Sequence, residues 1–148
     1  MSWKLWLSRR DAVSHTTSKA ELDNLRALIA RDLKDAAIAG LSADRRFATA
    51  YNAALQSAKM AASCAGYRIT ARAGHHQLTF ESIVLAMGAR AQRFADYFET
   101  CRRKRNVIDY TFSNVASGTE ADELLRETHL SYETVEAWIT GKFPALAR

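Results

Sequence analysis

Arg105 stands in the middle of an otherwise apolar helical seam. Phe94, Phe98, Cys101, Ile108 and Phe112 step by 4, 3, 7 and 4 residues, and Arg105 divides the 7 into 4 and 3. A guanidinium keeps its proton inside a protein, so at such a position it requires an anion or a dense set of acceptors. Asp109 follows one turn later, Asn106 and Tyr110 stand beside the pair, and Arg102, Arg103 and Lys104 lie just upstream. This set suits a phosphate or nucleotide ligand: arginine can grip two phosphate oxygens, and tyrosine can donate a hydrogen bond or stack on a base. A structural reading stands beside it, in which Arg105 forms a buried ion pair with Asp109 or with an acid of another helix such as Asp32.

His75 and His76 are the second candidate group. They either shape a turn or helix start, or one of them reaches the Tyr110 site from another helix. Adjacent histidines without neighbouring carboxylates make a poor metal site. Cys64 and Cys101 stand alone without ligand spacing, which fits reduced thiols in a cytoplasmic protein. The expectation is therefore no metal and no cofactor.

The elements that must position these groups read as helices throughout. One Pro and six Gly among 148 residues, with 48% hydrophobic and 25% charged content, fit a single helical domain spanning 1–148. Trp3, Trp6, Leu7 and Val13 suggest a short amphipathic helix in an N-terminal extension, 1–17, that packs on the bundle or on a partner; binding to a membrane surface, with Arg9 and Arg10 at headgroups, is the weaker alternative. Ser18 and Glu21 form a capping-box signature before a helix over about 18–39, ended by Gly40. Ser42 caps a second helix over about 43–66, whose seam is Phe47, Tyr51, Ala54, Ala58, Ala61 and Ala65, with Gly66 at its end. Residues 67–76 read as a connection turning at Gly74. Thr79 is the expected cap of a short third helix carrying Phe80, Ile83, Val84 and Met87, interrupted by Gly88. The fourth helix begins near Arg90 and runs to about Asn114. Thr119 is the expected cap of the last, about 120–140, with Gly141 and Pro144 beyond it. The predicted fold is all-α, an up-and-down four-helix bundle with additional short helices. No apolar run approaches the roughly 20 residues of a membrane span, and the N-terminus lacks the features of a signal peptide.

Charge is distributed unevenly along the chain. Residues 66–105 carry eight basic and three acidic side chains, whereas residues 106–148 carry three basic and seven acidic ones. A basic middle suits an anionic ligand such as nucleic acid, and equally self-association, the middle of one chain against the acidic tail of another. Arg102, Arg103 and Lys104, joined by Arg90 and Arg93, form a candidate patch for a nucleic-acid backbone.

With Gly74-His75-His76 before the third helix and Arg105-Asn106 followed by Tyr110 in the next long helix, the chain resembles the HEPN superfamily (higher eukaryote and prokaryote nucleotide-binding domain) over roughly 19–140. The resemblance implies a four-helix bundle with an extra helix, a homodimer, and a motif facing a cleft at the dimer interface. Many members are metal-independent endoribonucleases that carry Arg, four to six residues, then His; others pair with a nucleotidyltransferase in toxin–antitoxin modules. Arg105 and Asn106 match the first half of that motif, and Tyr110 stands where the ribonucleases have His. Tyr, with an ordinary pKa of about 10, is a poor base at neutral pH. The expected function is thus RNA or nucleotide binding without efficient catalysis. The tentative catalytic set is Arg105, Asn106 and Tyr110; the binding set is Arg102, Arg103, Lys104, Asp109, His75 and His76. An active endoribonuclease and a dimerisation bundle without ligand are the alternatives.

Overall fold

The computed structural model describes residues 1–110 and 113–148, with the backbone alone at Asp109 and Tyr110. Its elements are α1 (Trp3–Arg9), β1 (Ala12–Ser14), α2 (Lys19–Ala36), α3 (Ala43–Ala65), β2 (Tyr67–Ile69), α4 (His75–Met87), α5 (Gln92–Tyr110) and α6 (Gly118–Lys142), with single 3₁₀ turns at Ala89–Ala91 and Pro144–Leu146. The fold is predominantly α, a helical bundle, as the sequence predicts.

The alanine-rich α3 is the central helix and packs on α2, α4, α5 and α6. Ala50, Ala53, Ala54, Ala58, Ala61 and Ala62 are all buried. Their small side chains let neighbouring helices approach on several sides at once. Phe47, Tyr51, Leu55 and Met60 fill the wider spaces between them. Gly66 ends α3 at φ 100°, a conformation that a β-carbon disfavours, and its N–H bonds back to the Ala62 and Ser63 carbonyls.

Three boundaries and one capping side chain differ from the sequence reading. α2 ends at Ala36, before Gly40, with Ala37 as a right-handed cap. Ser18 accepts from Glu21 N as expected, but the Glu21 carboxylate turns to His15 and Thr17 rather than closing a capping box. α4 begins at His75, with Gly74 at φ 81° as its N-cap and no side-chain cap; Thr79 is buried inside the helix and donates to His75 O at 2.7 Å. Ser117, not Thr119, caps α6, through a complete capping box with Glu120.

The segment read as a connection from 67 contains β2, which pairs antiparallel with β1 in the register Ala12↔Ile69, Val13↔Arg68, Ser14↔Tyr67. This small ribbon ties the N-terminal residues to the bundle. Trp6 is buried and Trp3 stacks on Tyr67 at 4.1 Å, so the tryptophans of α1 pack on the chain itself. The 72–74 turn leaves the ribbon through the Thr70 hydroxyl, which donates to Arg10 O at 2.8 Å, and Arg72, whose Nη1 donates to Arg9 O at 2.9 Å.

α6 is fastened to α2 by a buried charged cluster. Arg26 donates to both oxygens of Glu136 (2.8 and 2.9 Å), to Asp23 (2.7 Å) and to Leu146 O (2.8 Å), while Tyr132 Oη donates to Glu136 (2.7 Å). Part of the charge asymmetry is also satisfied within the chain. Basic groups of α3 and α5 meet acids of α6 in the pairs Arg46–Asp122, Arg93–Glu127 and Lys104–Glu120.

Candidate functional site

The α5 seam is buried at Phe94, Phe98 and Cys101 and half-buried at Arg105 and Ile108; Phe112 lies outside the described residues. The seam therefore rises out of the core as it passes Arg105. On a helix, residues three and four apart share a face. Arg102, Arg105 and Asn106 consequently point the same way, toward the turn that starts α4. Together with Ala71, Arg72, Ala73, Gly74, His75 and His76 they line an open cleft of about 400 Å³. The two motifs separated in sequence thus meet in one place.

Each wall has an identifiable support. Arg105 lies over the ring of buried Tyr51, with 5.4 Å from Cζ to the ring centroid. The Tyr51 hydroxyl shares a hydrogen bond of 3.1 Å with His76 Nδ1. Burial raises the Tyr51 pKa far above its ordinary value, so the phenol stays protonated. His75 donates from Nδ1 to Arg72 O at 2.8 Å, and the two imidazoles meet edge to face at 4.4 Å. Burial, then the nearby charges of His75, Arg105, Lys59 and Arg102, pushes His76 down to about 4, leaving it neutral at physiological pH. Arg102 donates from Nε and Nη2 to the two oxygens of Glu99 (2.9 and 2.6 Å), which holds that carboxylate below its usual range.

The remaining predicted residues divide. Arg103 is exposed and reaches only to 3.9 Å from Glu99. Lys104 pairs with Glu120 and lines a separate groove with Tyr97 and Glu123. Neither lines the cleft. Arg93 pairs with Glu127, so the basic residues of α5 do not form one continuous stripe. Asp32 is buried on α2 and accepts from its neighbour Arg31 at 3.0 Å rather than from Arg105. The side chains of Asp109 and Tyr110 lie outside the described residues. Arg72, which the sequence analysis passed over, is the added basic residue of the cleft; its signal was an arginine two positions before the Gly-His-His turn.

No family model, curated protein or solved structure matches the chain. Three guanidinium groups, an amide and the N-terminal end of a 13-residue helix surround one cleft. Helix N-termini and arginines both favour anions, and a phosphate satisfies both at once. A larger cavity, about 520 Å³, lies at Ser42, Asp44, Arg45 and Asn52. Its carboxylate, Asp44, already accepts from the backbone N–H groups of Asn114, Val115 and Ala116 (2.6, 2.9 and 2.8 Å), so that acid braces the loop before α6.

The other titratable candidates carry no site. Both cysteines are free and buried, and burial pushes Cys64 up to about 11 and Cys101 up to about 12, so neither thiol is ionised near neutrality. Among the described residues no group of His, Cys, Asp and Glu is placed to hold a metal ion. No helix among them is long and apolar enough to cross a membrane.

Proposed function

We propose that the chain is a HEPN-like helical module that binds RNA or a nucleotide through phosphate, acts as a homodimer and lacks efficient catalysis. The observation that carries this reading is the convergence of Arg72, Arg102, Arg105 and Asn106 with the Gly74-His75-His76 turn on one open cleft. Arg105 is stacked on Tyr51 and Arg102 is braced by Glu99, so both guanidiniums are ordered before any ligand arrives. The cleft is broad and solvent-facing, which suits a polyanion backbone or a phosphate-bearing small molecule better than an apolar ligand. The free thiols of Cys64 and Cys101 suit a cytoplasmic setting, and the HEPN resemblance suggests a nucleotidyltransferase partner; both are part of the proposal.

One observation favours a second reading, a metal-independent endoribonuclease acting as a toxin: His76 enters the same cleft as Arg105 from another helix. Its depression to about 4 argues against it. Such an imidazole is a weak base for a 2′-hydroxyl, and it carries almost no proton at pH 7 to give a leaving group.

Fluorescence anisotropy with a labelled single-stranded RNA tests the binding reading. The parent is expected to bind weakly and with strong salt sensitivity. Arg105→Ala should weaken binding about tenfold or more, and Arg103→Ala, outside the cleft, by no more than about twofold. Equal loss in both variants would reject the cleft as the binding site.

A further inference from the structure

A second cavity of about 310 Å³ adjoins the basic cleft, and Ala71 and His75 line both. It sits between α2, α3 and the ribbon. Its walls include Leu25, Ala62, Tyr67 and Ile69, with Glu21 and Lys59 among its polar groups. Its size falls at the lower end of small-molecule pockets, about 300 Å³ and upward. A recess with an apolar wall and a polar rim that also includes His15 and Arg68, next to a cationic cleft, fits a ligand that is flat with a polar edge at one end and anionic at the other.

We propose that this cavity receives the base of a purine nucleotide whose phosphate lies in the adjoining cleft, with Glu21 reading the base edge. The proposal rests on the phosphate-binding reading above and adds the class of ligand. His75 forms the common wall, so the sugar crosses beside its ring. Tyr67 is fixed by its stack on Trp3, and Ala62 leaves the recess open because its side chain ends at Cβ.

Glu21 supplies discrimination. Its Oε1 accepts from His15 Nε2 at 2.7 Å and from Thr17 Oγ1 at 3.0 Å. The bond from His15, above all, keeps the carboxylate below its ordinary range and hence ionised. An ionised carboxylate only accepts hydrogen bonds; both of these fall on Oε1, and the acceptor positions of Oε2 are left for a base edge. Guanine presents two adjacent N–H donors on one edge, N1 and N2. Adenine presents one amino group beside a ring acceptor, which a carboxylate repels. The cavity therefore favours guanine over adenine.

Isothermal titration of the full chain with ribose 5-phosphate, GMP and AMP tests this, with folding of each variant checked by its thermal transition. Ribose 5-phosphate is expected to bind weakly and to lose affinity in Arg105→Ala. GMP should bind about tenfold more tightly than ribose 5-phosphate, and more tightly than AMP. Glu21→Gln should remove the preference for GMP over AMP while leaving ribose 5-phosphate affinity unchanged. Ile69→Trp, at a half-buried ribbon position that lines the recess, should fill it and bring GMP to within about twofold of ribose 5-phosphate. If ribose 5-phosphate binds but GMP binds no more tightly, or if Glu21→Gln keeps the preference, the base pocket is overturned and the phosphate cleft stands. If none of the three ligands binds, the phosphate reading and the base pocket fail together.

Discussion

Acidification should destabilise this fold through His76. In the folded chain its pKa lies near 4, against an ordinary value of 6.5, chiefly because the ring is withdrawn from water and secondarily because His75, Arg105, Lys59 and Arg102 repel a second charge. Between those two values the unfolded chain binds a proton at this position and the folded chain does not. Lower pH therefore favours unfolding. The stabilising contribution of neutral His76 is fully present above 6.5 and is lost as pH falls from 6.5 toward 4. The full displacement corresponds to about 3 kcal/mol at 1.36 kcal/mol per unit, and partial contact of the ring with water reduces this to about 2 kcal/mol. Carboxylates held low by their partners, such as Glu99 and Glu120, also release stability in acid, so the parent profile alone does not isolate His76. The comparison with His76→Leu does, because those carboxylates titrate in both proteins. Urea unfolding followed by circular dichroism between about pH 7 and pH 4 should show the parent losing about 2 kcal/mol more than the variant. Parallel profiles would refute the argument. A phosphate ligand should act in the opposite direction, raising the His76 pKa by offsetting Arg105 and Arg102, which NMR titration of the imidazole protons would report.

Glu136→Ala should cost about 3–5 kcal/mol in urea unfolding, because it leaves the buried Arg26 guanidinium without its two-oxygen partner; a loss under about 1 kcal/mol would show that Asp23 and Leu146 O suffice. Arg102→Ala should reduce the salt slope of RNA binding by about one, while Lys104→Ala, whose ammonium is paired with Glu120, should leave it unchanged. Light scattering at micromolar concentration should give the mass of a two-fold dimer; a monomer would remove the homodimer from the proposal.

Much of the bundle was legible because the helical period is long-range and redundant. The seams of α3 and α5 fixed which faces are buried, and Ser18 and Ser42 cap as their side chains suggest. The ribbon of β1 and β2 was not legible, since three-residue strands carry too few positions to display an alternating pattern. The start of α4 was missed for a different reason. Gly74 caps by adopting a left-handed backbone, which leaves no capping side chain to recognise, and Thr79 is the first residue beyond it with a capping side chain.

The cleft followed the same logic. Arg105, Asn106, His75 and His76 stood out by type and spacing, and all four line it. Arg102, Arg103 and Lys104 read as one basic patch, but successive helical residues are turned by about 100° and cannot share a face. Arg102 and Arg105 face the α4 turn, Arg103 faces solvent, and Lys104 meets α6. Arg72 was invisible as a site residue because its place depends on the ribbon that sequence reasoning did not find.

The central claim is that phosphate is held where the α4 turn meets α5. Titrating ¹⁵N-labelled protein with a short single-stranded RNA, and following backbone amide shifts, tests it most directly. The largest shifts are expected at Gly74, His75 and His76 and at Arg105 and Asn106, residues distant in sequence that meet at this cleft. Shifts centred instead on Ser42, Asp44 and Arg45, or an unperturbed 74–76 turn in the presence of bound RNA, would contradict it.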